Sequence, residues 1–117
     1  MDVNPKYLKR IQESMYAVAN KPGGTAYYHL RHSPWKIAGK TGTAQVISMS
    51  QDDDEEENKT PEIDKHKDHA WFMGYAPYKN PKIAFAILVE HGGHGGSAAG
   101  PIAKAIVQAL AEEEKKR

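Results

Sequence analysis

The chain has 117 residues, 16 lysines and arginines against 15 acids, 39% hydrophobic residues and no cysteine. That length suits one domain or part of a larger one, and a cysteine-free chain has no disulfide scaffold, no Cys-ligated zinc and no thiol nucleophile. The longest apolar run, Ile83 to Val89, is about a third of a membrane span, and the opening Met-Asp-Val-Asn-Pro-Lys lacks the apolar stretch of a signal peptide.

Asn4-Pro5 reads as an N-cap followed by proline at the first helical position. Leu8, Ile11, Met15, Val18 and Ala19 then recur at helical spacing, which predicts a helix with one core-facing stripe. Asn20-Lys21-Pro22-Gly23-Gly24 stops it. Thr25 to His32 is ambiguous, with room for a short helical turn. Trp35 to Ile47 predicts a strand containing Gly39 and Gly42, and interior glycines mark places where another backbone or a ligand comes close.

Ser48 to Lys67 has few apolar residues and predicts a long mobile loop. Between Asp52 and Asp68 nine acids face three lysines, a charge of −6, whereas the other thirteen bases and six acids give +7. The near-neutral total of +1 therefore hides a basic body with an acidic insertion. Such a body attracts anions. Its bases are scattered and form no stripe interleaved with aromatics, so no nucleic-acid partner is expected. The acid run lacks the alternating ligands and the glycine of an EF-hand loop, and it reads as a solvated charge run. Following the Lys40 strand directly, it is expected to hang near any cleft there and to modulate the entry of anionic substrates.

Ala70 to Ala76 and Lys82 to Glu90 predict two further strands joined by a turn at Pro77-Tyr78-Lys79-Asn80-Pro81. The unbroken apolar run of the last strand suits a central position covered on both faces. After the glycine loop His91 to Gly96, the residues Ala99, Ile102, Ala103, Ile106, Val107 and Leu110 predict a helix with Ser97 as N-cap, and Lys115-Lys116-Arg117 complement its negative end. Helix, three strands, helix predicts an α+β fold, an antiparallel sheet of at least three strands packed by the N- and C-terminal helices.

Four motifs carry candidate chemistry. Gly93-His94-Gly95-Gly96-Ser97-Ala98 matches G-x-G-x-x-A after a strand, but no second parallel strand with an acid follows, so nucleotide binding by the Gly92–Gly96 loop is a minor alternative. The pairs His66/His69 and His91/His94 lack H-E-x-x-H spacing and read as surface or turn histidines; no metal or cofactor is expected. Ser33-Pro34-Trp35-Lys36 matches S-x-x-K, yet that pair needs a helical turn to bring lysine to serine, and Pro34 with strand-like neighbours makes the match fortuitous. In Lys40-Thr41-Gly42-Thr43, alternation puts both threonines on one side of the strand and Lys40 on the other, with Gly42 leaving the edge open to a ligand backbone.

In its setting the last motif is specific. Lys36-Ile37-Ala38-Gly39-Lys40-Thr41-Gly42-Thr43-Ala44-Gln45-Val46 resembles the third active-site motif of class B penicillin-binding proteins. Met15 to Asn20 with Gly24-Thr25-Ala26 is similar to the helix and turn before it. Trp71 to Pro77, Asn80 to Ala84 and Val89 to Gly93 are similar to the strands after it, and Ala98 to Ala103 to the start of the closing helix. The resemblance covers nearly the whole chain except the acidic loop.

It implies the C-terminal part of a penicillin-binding-protein/β-lactamase-like transpeptidase domain over residues 1–117, with 48–67 as the acidic loop. It also implies a serine D,D-transpeptidase that cross-links peptidoglycan stem peptides ending in D-Ala-D-Ala, is acylated by β-lactams, and works with cell-wall elongation proteins. That enzyme class is anchored in the bacterial inner membrane and acts at its periplasmic face. The implied catalytic residues are Lys40, as positive charge beside an S-x-N serine, and Thr43, whose N–H is one oxyanion donor worth about 3 kcal/mol. The implied substrate-binding residues are Lys40, Thr41, Gly42 and Thr43. No S-x-N is present, since Ser14, Ser33, Ser48, Ser50 and Ser97 lack Asn two positions on. The chain is therefore expected to need the preceding nucleophile-bearing part of the domain, and to be inactive alone. The alternative outside catalysis is a structural or partner-binding subdomain.

Overall fold

The first helix, α1 (Pro5–Asn20), begins where the sequence places it. In this computed structural model, which describes residues 2–44 and 68–117, Asn4 Oδ1 accepts the Lys6 N–H at 2.9 Å and Pro5 occupies the first turn, so one orphan donor is capped and another is absent. Only the last turn is deeply buried: Ala19 is inaccessible, Met15 and Val18 are half-buried, and Leu8 and Ile11 stand in solvent. The ambiguous segment forms one short turn, α2 (Tyr27–Leu30), with Leu30 driven into the core.

Three strands follow, β1 (Ala38–Ala44), β2 (His69–Ala76) and β3 (Ile83–Val89), in a purely antiparallel sheet ordered β1-β2-β3. The strand expected from Trp35 thus starts at Ala38, and its expected end at Ile47 lies outside the described residues, as does the acidic segment 48–67. Direct cross-strand partners share a face. Thr41 opposite Phe72 opposite Ile87, and Thr43 opposite Ala70 opposite Val89, define the inner face. Phe72, Ile87 and Ala76 pack there with Ala19, Leu30, Ile37, Ala103 and Val107. The other face carries Lys40, Trp71, Met73 and Leu88, and the last three are 40–58% exposed.

Two expectations need correction. Among the described residues the apolar run of β3 is an edge strand with one face open rather than a central strand covered on both: Ala84, Ala86 and Leu88 are exposed. Strand β2 holds the centre. Ser97 is not an N-cap either. It lies inside a separate turn, α3 (Gly95–Ala98), and its hydroxyl donates to the His94 carbonyl at 3.3 Å, while α4 (Gly100–Lys115) starts afresh. Pro101 supplies the reason, because its missing N–H cannot bond the Ser97 carbonyl in an unbroken ladder. Among the described residues no helix is long and apolar enough to cross a membrane.

The tightest join in the sheet is Gly39 opposite Gly74. A Cβ on Gly74 would lie 2.3 Å from the Ala38 carbonyl oxygen, and one on Gly39 would lie 2.4 Å from the Phe72 ring. Gly42 differs, since a Cβ there meets only the Trp71 Cβ at an ordinary 3.5 Å. Gly74→Ala is therefore expected to cost on the order of 1–3 kcal/mol, because backbone cannot rotate aside, and Gly42→Ala to stay within about 0.5 kcal/mol. Urea denaturation of the two variants side by side checks the contrast.

Candidate functional site

Strand β1 has β2 on one side and, among the described residues, no strand on the other. Its outer N–H and C=O groups can therefore take up an extended peptide as an added strand. Along this edge the sequence alternates as expected. Thr41 and Thr43 share the inner face and Lys40 points to the outer one. Lys40 and Thr43 are exposed, and Thr41 and Gly42 are half-buried.

The Lys40 ammonium donates to the Thr41 carbonyl at 2.7 Å and has no carboxylate partner among the described residues. Its stem borders an apolar hollow of about 500 Å³ between α1 and the sheet, lined by Met15, Val18 and Met73 among others. Among the described residues a lysine so placed is an uncompensated positive charge at the rim of an exposed hollow.

Thr41 is oriented from outside the strand: its Oγ1 lies 3.1 Å from Thr25 Oγ1, in the turn before α2. The Thr25, Thr41 and Thr43 hydroxyls thus lie on the inner side of this strand edge, and the Lys40 ammonium stands on its outer side. This donor-rich set suits a carboxylate, whose oxygens only accept. It contains no proton-abstracting pair.

Two further contacts hold the strand in place. Asn20 Nδ2 donates to the Tyr16 carbonyl at 3.0 Å and to the Ile37 carbonyl at 2.7 Å, tying the end of α1 to the entry of β1. At the far end the His91 N–H donates to His69 Nδ1 at 2.9 Å, and the Gly93 N–H to the Asp68 carbonyl at 2.9 Å, so the glycine loop is stitched to the start of β2. That loop delivers Gly95 against Gly42. A Cβ on Gly95 would stand 2.3 Å from the Trp71 carbonyl oxygen and 3.1 Å from that of Gly42. The G-x-G-x-x-A glycine serves strand packing, and the nucleotide alternative lacks its βαβ frame in a sheet that is wholly antiparallel among the described residues.

The remaining motifs separate from this edge. Ser33 lies in the irregular stretch between α2 and β1, nearly buried, its hydroxyl without a partner. Lys36 instead lines a hollow with Tyr16, Trp35 and Tyr78. The Ser14 hydroxyl donates to the Arg10 carbonyl, a bond within α1. No described serine is joined to a base. Near that hollow, burial raises the Tyr75 phenol pKa above its ordinary value, and Tyr78 adds to the rise. Among the described residues no three potential metal ligands cluster.

The sequence reading names Lys40, Thr41, Gly42 and Thr43, gives Asn20 only the helix stop and Thr25 no role, and takes His69 as a surface or turn histidine, whereas it is a half-buried residue of β2. Thr25 was within reach, since Gly24-Thr25-Ala26 already stood among the resembling segments. The Asn20 and His69 bonds cross 17 and 22 residues and leave no local pattern.

Comparison with known proteins gives a consistent result. A family model described as penicillin binding protein transpeptidase domain matches residues 1–108. The peptidoglycan D,D-transpeptidase MrdA of Salmonella typhimurium is 38% identical over 104 residues, 89% of this chain and 16% of that protein. Penicillin-binding protein 2 of Helicobacter pylori, solved in complex with MreC, aligns with a TM-score of 0.73 at 38% identity, covering 94% of this chain and 18% of that one. Penicillin-binding protein 2 of Pseudomonas aeruginosa, in complex with WCK 5153, gives 0.72 at 36%, covering 92% and 19%. The chain thus spans less than a fifth of the length of these relatives.

Asn20→Ala leaves the Ile37 carbonyl without its donor and is expected to cost about 1–3 kcal/mol. Thr25→Val, which removes one of two partly solvated hydroxyls, should cost no more than about 1.5 kcal/mol. Denaturant midpoints compared at constant m-value measure both.

Proposed function

The chain belongs to the penicillin-binding protein transpeptidase family, and from that premise we propose that it forms the carboxylate-binding part of a peptidoglycan D,D-transpeptidase. The observation that carries this reading is the exposed Lys40-Thr41-Gly42-Thr43 edge, with Thr41 held by Thr25. The substrate is a stem peptide ending in D-Ala-D-Ala, lying along β1 like an added strand. Thr41 and Thr43 hydroxyls hold its terminal carboxylate, and the Lys40 charge draws it in. A serine in the preceding part of the domain attacks the penultimate carbonyl and expels D-alanine. The developing oxyanion is held by the Thr43 N–H and by the N–H of the nucleophile, and an acceptor amine then takes the acyl group. β-Lactams present the same carboxylate and acylate the same serine.

The uncovered surfaces support the need for that preceding segment. The face bearing Trp71, Met73 and Leu88 is exposed, and it adjoins the Lys40-bordered hollow. On this reading the preceding segment covers them and brings its nucleophile beside the ammonium, and the isolated chain is inactive. The full-length protein, on this reading, is anchored in the inner membrane with its site at the periplasmic face, and works with cell-wall elongation proteins. The relative solved with MreC is consistent with that setting.

Fluorescent penicillin should label the full-length protein covalently and leave the 117-residue chain unlabelled. In the full-length protein Lys40→Ala should slow acylation by about 100-fold or more, as loss of a group that assists proton transfer does. Gly42→Ala should also slow it while leaving the denaturation midpoint unchanged, because the fold has room for that Cβ and a strand-added substrate does not. Covalent labelling of the chain by itself would overturn the reading.

A further inference from the structure

One charged patch close to the strand takes no part in the site described above. The Arg31 guanidinium lies over two tyrosine rings, 5.1 Å from the Tyr28 centroid and 5.7 Å from that of Tyr27. Tyr28 is 77% exposed, the most open of the large apolar side chains, and Arg31 is exposed too. No described carboxylate pairs with Arg31. Stacking on the rings restrains the guanidinium and leaves its N–H fork free.

The platform is tied to the core at one residue. Tyr27, Tyr28 and Arg31 ride on α2, whose Leu30 is 1% exposed in the core, and the turn carrying α2 also supplies Thr25. Tyr28 stands three residues beyond the threonine that orients Thr41, within roughly 10 Å of chain. A separate hollow of about 370 Å³, lined by His32, Lys104, Glu112 and Lys115 among others, lies between the residue after Arg31 and α4. An exposed aromatic and a stacked arginine that has no carboxylate partner among the described residues form the pattern of an anchor for an anionic ligand.

We propose that Tyr28 and Arg31 form a secondary subsite for the polymeric substrate, a carboxylate-bearing glycopeptide. Tyr28 offers its ring to a sugar or peptide plane, and Arg31 takes a carboxylate beyond the one held by Thr41 and Thr43. The proposal rests on the transpeptidase reading, which supplies a substrate that is both anionic and long enough to run past the strand. Benzylpenicillin carries a single carboxylate, the one assigned to Thr41 and Thr43, and so leaves none for Arg31. Tyr28 and Arg31 are thus specificity determinants for strand length, outside the acylation chemistry.

The test uses the full-length protein with Arg31→Ala, Arg31→Glu, Arg31→Lys and Tyr28→Ala. Rate constants for acylation by penicillin should stay within about twofold of wild type, which also reports that the variants are folded. With peptidoglycan strands as substrate, KM should rise about five- to tenfold for Arg31→Ala and Tyr28→Ala, and further for Arg31→Glu. Arg31→Lys should recover part of the loss, and kcat should change little. Unchanged KM in Arg31→Glu overturns the proposal. So does slowed penicillin acylation, which would make the patch part of the inner site. So, too, does loss of binding to phosphatidylglycerol vesicles with cross-linking intact, which would make it a membrane contact. Failure of penicillin to acylate the wild-type protein would instead overturn the transpeptidase reading.

Discussion

The sheet depends on one close approach, the crossing of β1 and β2 at Gly39 and Gly74. With no side chain on either residue, the Phe72 ring lies over Gly39 and the Gly74 backbone reaches the Ala38 carbonyl. Phe72 is the largest fully buried side chain and joins β3, α2 and α4 into one core. A slip of one residue at this crossing would turn every side chain of β1 to the other face. Lys40 would then point into the packing and the threonines away from Thr25. The chemistry of the edge is thus set by a steric condition one residue before it.

That condition also separates two glycines that look alike in the sequence. Both Gly39 and Gly42 interrupt a strand, and both suggest close approach. At Gly39 the approaching group is the chain's own phenyl ring. At Gly42 nothing among the described residues fills the space on the Cβ side beyond an ordinary contact with Trp71. A glycine that packing does not require is the stronger functional signal, because helix, turn and core rules leave its conservation of space unexplained.

Much of the fold was legible because its signals are local. The cap at Asn4-Pro5, the helical stripes, the period-two alternation of β1 and the turn before Ile83 each depend on a few neighbouring residues. The Pro34 argument against S-x-x-K is also local, and the irregular backbone around Ser33 agrees with it. Position within the sheet is not local. The run Ile83 to Val89 reads as doubly covered, yet the three-stranded sheet leaves Ala84, Ala86 and Leu88 in solvent. An apolar strand states that both faces can be buried, not which elements bury them. The Ser97 cap failed for another reason: the periodicity of α4 was read without the hydrogen bond that Pro101 cannot make.

The hydroxyl pair Thr25–Thr41 links the two levels. A threonine on an exposed strand edge would rotate freely among its hydrogen-bond partners, and ordering it on substrate would cost entropy. Bonding to Thr25 meets that cost during folding, so Thr41 is already restrained when an anion arrives. The same turn continues into α2, whose Leu30 fixes it to the core and whose Tyr28 and Arg31 face outward. One segment therefore restrains the Thr41 hydroxyl and presents the Tyr28–Arg31 pair on its outer side. On the proposed reading such a layout favours a ligand long enough to use both ends, since Tyr28 stands only three residues beyond Thr25.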